Sequence, residues 1–146
     1  MEQISKMEQT NLQGKNLIVA GKRKRAVAKA LIKEGEGKIT INKIPYTNLN
    51  YFHQLLIREP IEITKNILGN FNFDISVNVR GGGTEGRIDA SRLAIAKALV
   101  KFTNSAALKK AFLDYDRSLL VADTRRKEPY KPGDSKARAK RQKSYR

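Results

Sequence analysis

Cysteine is absent from the 146 residues, and histidine occurs once, as His53. The lack of thiols removes disulfide frameworks, thiolate metal sites and cysteine nucleophiles together, while leaving the redox compartment open. His53 stands among Tyr51, Phe52, Leu55 and Leu56 with no second His to complete a metal site, which makes it a helix-surface or half-buried side chain. Long apolar runs are also missing. No stretch nears the roughly 18 consecutive apolar residues of a membrane span, and no apolar h-region follows Met1, so a soluble, unsecreted protein is expected. Residues 1–16 contain Glu2 and Glu8 but no Arg, unlike the Arg-rich, acid-poor transit peptides, and are expected to form a short flexible extension. Carboxylates are scarce. An acid–base pair would have to be assembled from Asp89, Asp114, Asp116 or Asp123, and nothing in their spacing supports one. No catalytic residue, metal or cofactor is therefore expected.

What the chain has is positive charge. Thirty Lys and Arg face fourteen Asp and Glu, for a net charge of +16 and an isoelectric point near 10.3. Such an excess is the electrostatic footprint of a polyanion binder. The length suits one domain with an appendage, and the apolar residues cluster mid-chain, where a modest core can form.

The patterning predicts strands over residues 17–20 and 26–33, then a turn at Glu34-Gly35-Glu36-Gly37 and a β-branched alternation over 38–42. A helix should begin near Tyr51 and stop near Arg58, because Pro60 lacks an amide donor and restricts its predecessor, with a second short helix over 61–68. Phe71, Phe73, Ile75, Val77 and Val79 fill alternate positions of a strand. Helices are expected over 89–102 and 105–113, with a last apolar patch at 119–122. The expectation is an α+β fold: a small mixed sheet of about four strands, in the order β-β-β-α-α-β-α-α, covered by helices. Residues 17–123 would form the RNA-binding body. Residues 124–146 would form a long, extended basic tail, since they hold ten Lys or Arg and two acidic residues but no Leu, Ile, Val, Met or Phe.

Three features carry binding chemistry. The first is Lys22-Arg23-Lys24-Arg25, a solvated basic loop on the plain reading and a phosphate site on the functional one, because four consecutive cations repel until neutralised. The second is Gly81-Gly82-Gly83, flanked by Arg80 and Arg87. It turns the chain, and it also lets backbone amides approach a phosphate at a helix N-terminus. Residues 81–86 satisfy G-x-G-x-x-G, but the fingerprint's acidic partner some 20 residues on would fall in a helix, and Arg87 and Ile88 replace the Lys and hydroxyl of a P-loop. The third is the tail, where Arg125, Arg126, Lys127, Lys131, Lys136, Arg138, Lys140 and Arg141 alternate with small residues that would let it thread RNA crevices. Tyr130 and Tyr145 are available to stack on bases or riboses.

The order of Gly21-Lys22-Arg23-Lys24-Arg25-Ala26-Val27-Ala28, Gly37-Lys38-Ile39-Thr40-Ile41-Asn42, Glu59-Pro60, Val79-Arg80-Gly81-Gly82-Gly83, Ala94-Ile95-Ala96-Lys97-Ala98-Leu99 and the tail resembles one family. It is the universal small-subunit ribosomal protein numbered nine in bacteria and sixteen in the older eukaryotic scheme. The likeness spans roughly residues 19–146, and the ending through Arg141-Gln142-Lys143-Ser144-Tyr145-Arg146 is similar to archaeal and eukaryotic members, the archaeal type being preferred for its compact length. Arg87 replaces a common Gln, and residues 130–135 replace a usual Lys-Lys-Phe-Gly run. The resemblance implies a non-enzymatic, cytoplasmic protein of the small-subunit head, in contact with ribosomal RNA and neighbouring head proteins. It also implies a tail reaching the anticodon stem-loop of peptidyl-site transfer RNA through Lys143, Tyr145 and Arg146. The competing reading is another basic nucleic-acid-binding protein, although no helix-turn-helix, zinc or basic-zipper pattern is present.

Overall fold

A computed structural model describes residues 16–133, 136–140 and 143–145. Residues 1–15 of the expected 1–16 extension, and Arg141 and Arg146 of the tail, lie outside the described residues. The fold is α+β. A mixed sheet takes the order β1-β2-β5-β3-β4, from Leu17–Arg23 (β1), Ala26–Glu34 (β2), Ile39–Ile41 (β3), Ile44–Pro45 (β4) and Phe73–Arg80 (β5). Three helices, Tyr51–Leu68 (α1), Thr84–Thr103 (α2) and Ala106–Tyr115 (α3), complete the body. Only β3 and β5 run parallel, since the chain between them crosses over through β4 and α1.

The sheet has five strands where about four were expected, the fifth being the two-residue β4. Asn42 and Lys43 join β3 to β4 with φ of 51° and 69°, the double left-handed geometry of a tight primed hairpin turn. Asn42 also extends β3 sideways: its amide and side chain exchange hydrogen bonds with Val77 and Val79 of β5.

The expected break at Pro60 is wrong. α1 runs unbroken through it, so the predicted pair of helices is a single 18-residue one. Ile57, Pro60, Ile61 and Thr64 lie buried along one face, and that packing outweighs the roughly 3 kcal/mol that an interior proline costs. Similarly, α2 starts at Thr84 instead of Asp89, directly after the glycine run.

Small residues bring α2 close to the sheet. Ala26, Ala28 and Ala30 line the inner face of β2 and Ala90, Ala94 and Ala98 the buried side of α2. At Gly21 the approach is so tight that a Cβ would lie 2.4 Å from the Ala90 carbonyl oxygen and 2.6 Å from the Ala94 amide nitrogen. Phe102, Phe112, Leu99, Leu108 and Leu119 are among the largest fully buried side chains of the core.

Candidate nucleic-acid interface

The β1–β2 turn is two residues long, Lys24 and Arg25, because Arg23 pairs directly with Ala26. Lys24 takes φ of 51°, which closes the turn and turns both side chains outward; Lys22, Lys24 and Arg25 are all exposed. On the other side β2 pairs with β5, Val27 opposite Arg80, so the glycine run following Arg80 lands against the hairpin tip. Gly81 lies at φ of 76°, and a Cβ there would meet the Arg25 carbonyl oxygen at 2.6 Å. Gly82, at φ of 68°, would bring one within 3.1 Å of the Ala26 amide. The two predicted sites, 56 residues apart from Arg25 to Gly81, are thus one surface at one end of the sheet, with Arg80, Gly81, Gly82, Gly83 and Arg87 all exposed.

α2 begins at that surface with Gly83 as its N-cap, and no side chain caps it. Its first amides therefore point at the basic end with no side-chain acceptor, which suits an anion. Arg87 donates Nε to the Gly81 carbonyl at 3.2 Å and braces the loop. His53 of α1 hydrogen-bonds Glu85 in the first turn of α2 at 2.8 Å and is itself mostly covered, which matches the half-buried structural role expected of it.

Arg23 differs from its neighbours. Its guanidinium is paired with Asp123 and lies 3.5 Å from Asp89, so it joins the hairpin to the root of the tail and is spent on carboxylates. Arg125 also binds Asp123, through Nη2 at 2.8 Å and its backbone amide at 2.8 Å. Together these bonds, those from Arg125 foremost, hold the Asp123 carboxyl well below the usual carboxylate range. The tail thus leaves the body at the same basic end. An open cleft of about 700 Å³ lies here, bordered by Lys22, Arg92 and Arg117 with the Arg23–Asp123 pair. Arg92 bridges Glu59 of α1 and Asp116 beyond α3, tying three helical segments together. Burial pushes the Asp116 carboxyl up, but bonds from Ser118 and from Arg92 outweigh it and leave it below its ordinary value.

Beyond Asp123 the described residues are exposed and, through 131, carry no regular secondary structure. Arg126 caps the carbonyls of Asp123 and Arg125, Lys127 lies over the Tyr130 ring at 5.4 Å, and Arg138 pairs with Glu128 at 3.2 Å. Lys131, Lys136, Lys140, Lys143 and Tyr145 are exposed. Among the described residues no cluster of three His, Cys, Asp or Glu could hold a metal, and no helix is long and apolar enough to cross a membrane. The bond between Asp123 and Arg23 has no local signal, because the two residues are 100 positions apart.

A model of the ribosomal protein S9/S16 family matches residues 21–146. Relatives include small ribosomal subunit protein uS9 of Methanococcus vannielii and of Methanococcus maripaludis strain C7, each 47% identical over 129 residues that cover 86% of this chain and 95% of the relative. The matched residues take in the hairpin, the glycine run and the tail together, and on that extent and identity the chain belongs to the ribosomal protein S9/S16 family, with archaeal relatives, as a non-enzymatic protein of the small ribosomal subunit.

Proposed function

We propose that the chain binds ribosomal RNA through the joint surface of hairpin tip and glycine loop, and sends its tail from there toward peptidyl-site transfer RNA. The carrying observation is the close approach of the Gly81 backbone to the Arg25 carbonyl, tight enough to leave no room for a Cβ, which brings exposed Lys22, Lys24, Arg25, Arg80 and Arg87 beside the uncapped start of α2. Cations neutralise phosphates and release counterions, while helix amides add directed donors. Arg125, Arg126, Lys127, Lys131, Lys136, Arg138, Lys140 and Arg141 carry the same chemistry along the tail. Neighbouring proteins of the subunit head complete the setting that family membership supports.

At the tail's end, Lys143, Tyr145 and Arg146 would meet the anticodon stem-loop, Arg146 through paired hydrogen bonds to phosphate. Transfer-RNA affinity and frame maintenance, compared on subunits holding equal amounts of full-length or Arg146-deleted chain, test this role. Weaker binding or more frequent frame loss is expected, bounded by the roughly 1.5 to 3 kcal/mol of one charged hydrogen bond. If neither changes, the tail is an RNA anchor only.

A further inference from the structure

The sheet face turned away from the helices is largely exposed, with the β2–β3 loop folded over Asp74 at its far end, and it has a charge pattern of its own. The register places Lys22 opposite Val27 and Val27 opposite Arg80, so two cations flank β2 about 10 Å apart. Two residues further along β2, Lys29 lies opposite Asn78, and four residues beyond it Lys33 lies opposite Asp74. The four cations mark a stripe running about 20 Å down the strand. Lys22, Lys29, Lys33 and Arg80 are all exposed. Asp74 is the one carboxylate among the outward residues of β1, β2 and β5, and its Oδ1 is taken by the Glu36 and Lys38 amides at 3.0 and 2.9 Å.

The filling between the cations narrows the partner. Ala20, Ser76 and Asn78 are short, and no aromatic residue stands on the outward positions of these three strands. Phe73 instead packs inward on Phe102, with ring centroids 5.6 Å apart. Without rings, the face has nothing on which unpaired bases could stack. Exposed Ile18 and half-buried Val27 and Leu31 share the face with the cations. A low, ring-free surface with cations along its central strand and at one end, and short polar groups on β5, complements the wide, shallow minor groove of an RNA duplex, where riboses and phosphates are displayed.

We propose that this sheet face is a second RNA-binding surface, taking the backbone of a double-stranded segment across Lys22, Lys29, Lys33 and Arg80, with Ser76 and Asn78 bonding ribose hydroxyls. It rests on the ribosomal-RNA reading above and adds residues that reading does not use. Lys22 and Arg80 belong to both surfaces, so the RNA surface continues around the end of the sheet.

The absence of cysteine allows a direct test. Ser76→Cys, at the centre of the face, and Lys24→Cys, at the hairpin tip, each give a unique thiol for a tethered iron chelate in reconstituted small subunits. Hydroxyl radicals should cleave a double-stranded segment from Ser76→Cys as well as from Lys24→Cys. Cleavage from Lys24→Cys alone overturns the inference while sparing the first interface, and cross-linking of the Ser76→Cys thiol to a neighbouring protein then identifies what covers the face. No cleavage from either site strikes the RNA-binding reading itself. Independently, Lys29→Gln combined with Lys33→Gln should lower the logarithmic salt slope for naked small-subunit ribosomal RNA by about 1.4 to 1.8, at roughly 0.7 to 0.9 per phosphate contact. An unchanged slope in a variant with an unchanged unfolding transition overturns the proposal.

Discussion

The Arg23 guanidinium and the Asp123 carboxylate are joined across 100 residues of sequence, closing the base of the tail against the tip of the first hairpin. One consequence is a division of labour inside a run of four cations: three face solvent, and the fourth is a latch.

The latch predicts non-additive mutational effects. Arg23→Ala and Asp123→Ala should each lower the thermal midpoint, and the double variant should lower it by less than the two together. Additive shifts in a double-mutant cycle would show that the pair does not couple.

Acid should reach a second carboxylate gradually. Amides of Lys38 and Glu36 hold the Asp74 carboxyl below its ordinary value against a smaller opposing effect of burial. A depressed folded-state value means stability that is fully present above the unfolded value of about 3.9 and lost as pH falls through the folded one. Asp74→Ala should therefore cost about 1 to 2 kcal/mol in urea unfolding at neutral pH, and the gap to the parent should narrow only well below pH 4. A gap that stays constant down to pH 2 would contradict this.

The glycine run should separate stability from binding. Gly81→Ala places a methyl against the Arg25 carbonyl in a left-handed backbone, and should cost about 2 kcal/mol or more in chemical unfolding. At Gly83, with φ of −85° and nothing within 4 Å of a Cβ, Gly83→Ser supplies the missing N-cap and should gain a few tenths of a kcal/mol. If phosphate uses the same amides, the Ser variant should nevertheless bind RNA more weakly. Tighter binding by that variant would mean that the helix start does not face RNA.

Removing residues 124–146 should leave cooperative unfolding intact. The buried residues end at Leu119, and the tail root is held by Asp123 on the body side of the cut. A non-cooperative melt of the truncated chain would make the tail part of the fold.

Much of the body was legible in the sequence because strict alternation over residues 71–79 and the apolar face of 89–102 are local signals. The failures came from long-range packing. Pro60 reads as a helix stop until Ile57, Ile61 and Thr64 are seen to bury the same face, and Glu59 gains its ion-pair partner from α2. The β3–β4 turn has no mark in the sequence, because Asn42-Lys43 lacks the glycine of a usual primed turn, and the hydrogen bonds of Asn42 to Val77 and Val79 supply the compensation. Each predicted binding motif was visible by itself. Their meeting at one end depends on β2 pairing with both β1 and β5, which residue spacing does not reveal.

The central claim is that this basic end grips RNA phosphate, and the salt dependence of binding to naked small-subunit ribosomal RNA tests it most directly. Replacing Lys22, Lys24 and Arg25 together by Ala should lower the logarithmic slope by about 2 to 3, at roughly 0.7 to 0.9 per lost phosphate contact, whereas Arg23→Ala alone should leave the slope close to the parent's. A triple variant with the parent's slope, or an Arg23→Ala variant that loses as much as the other three together, would contradict the account.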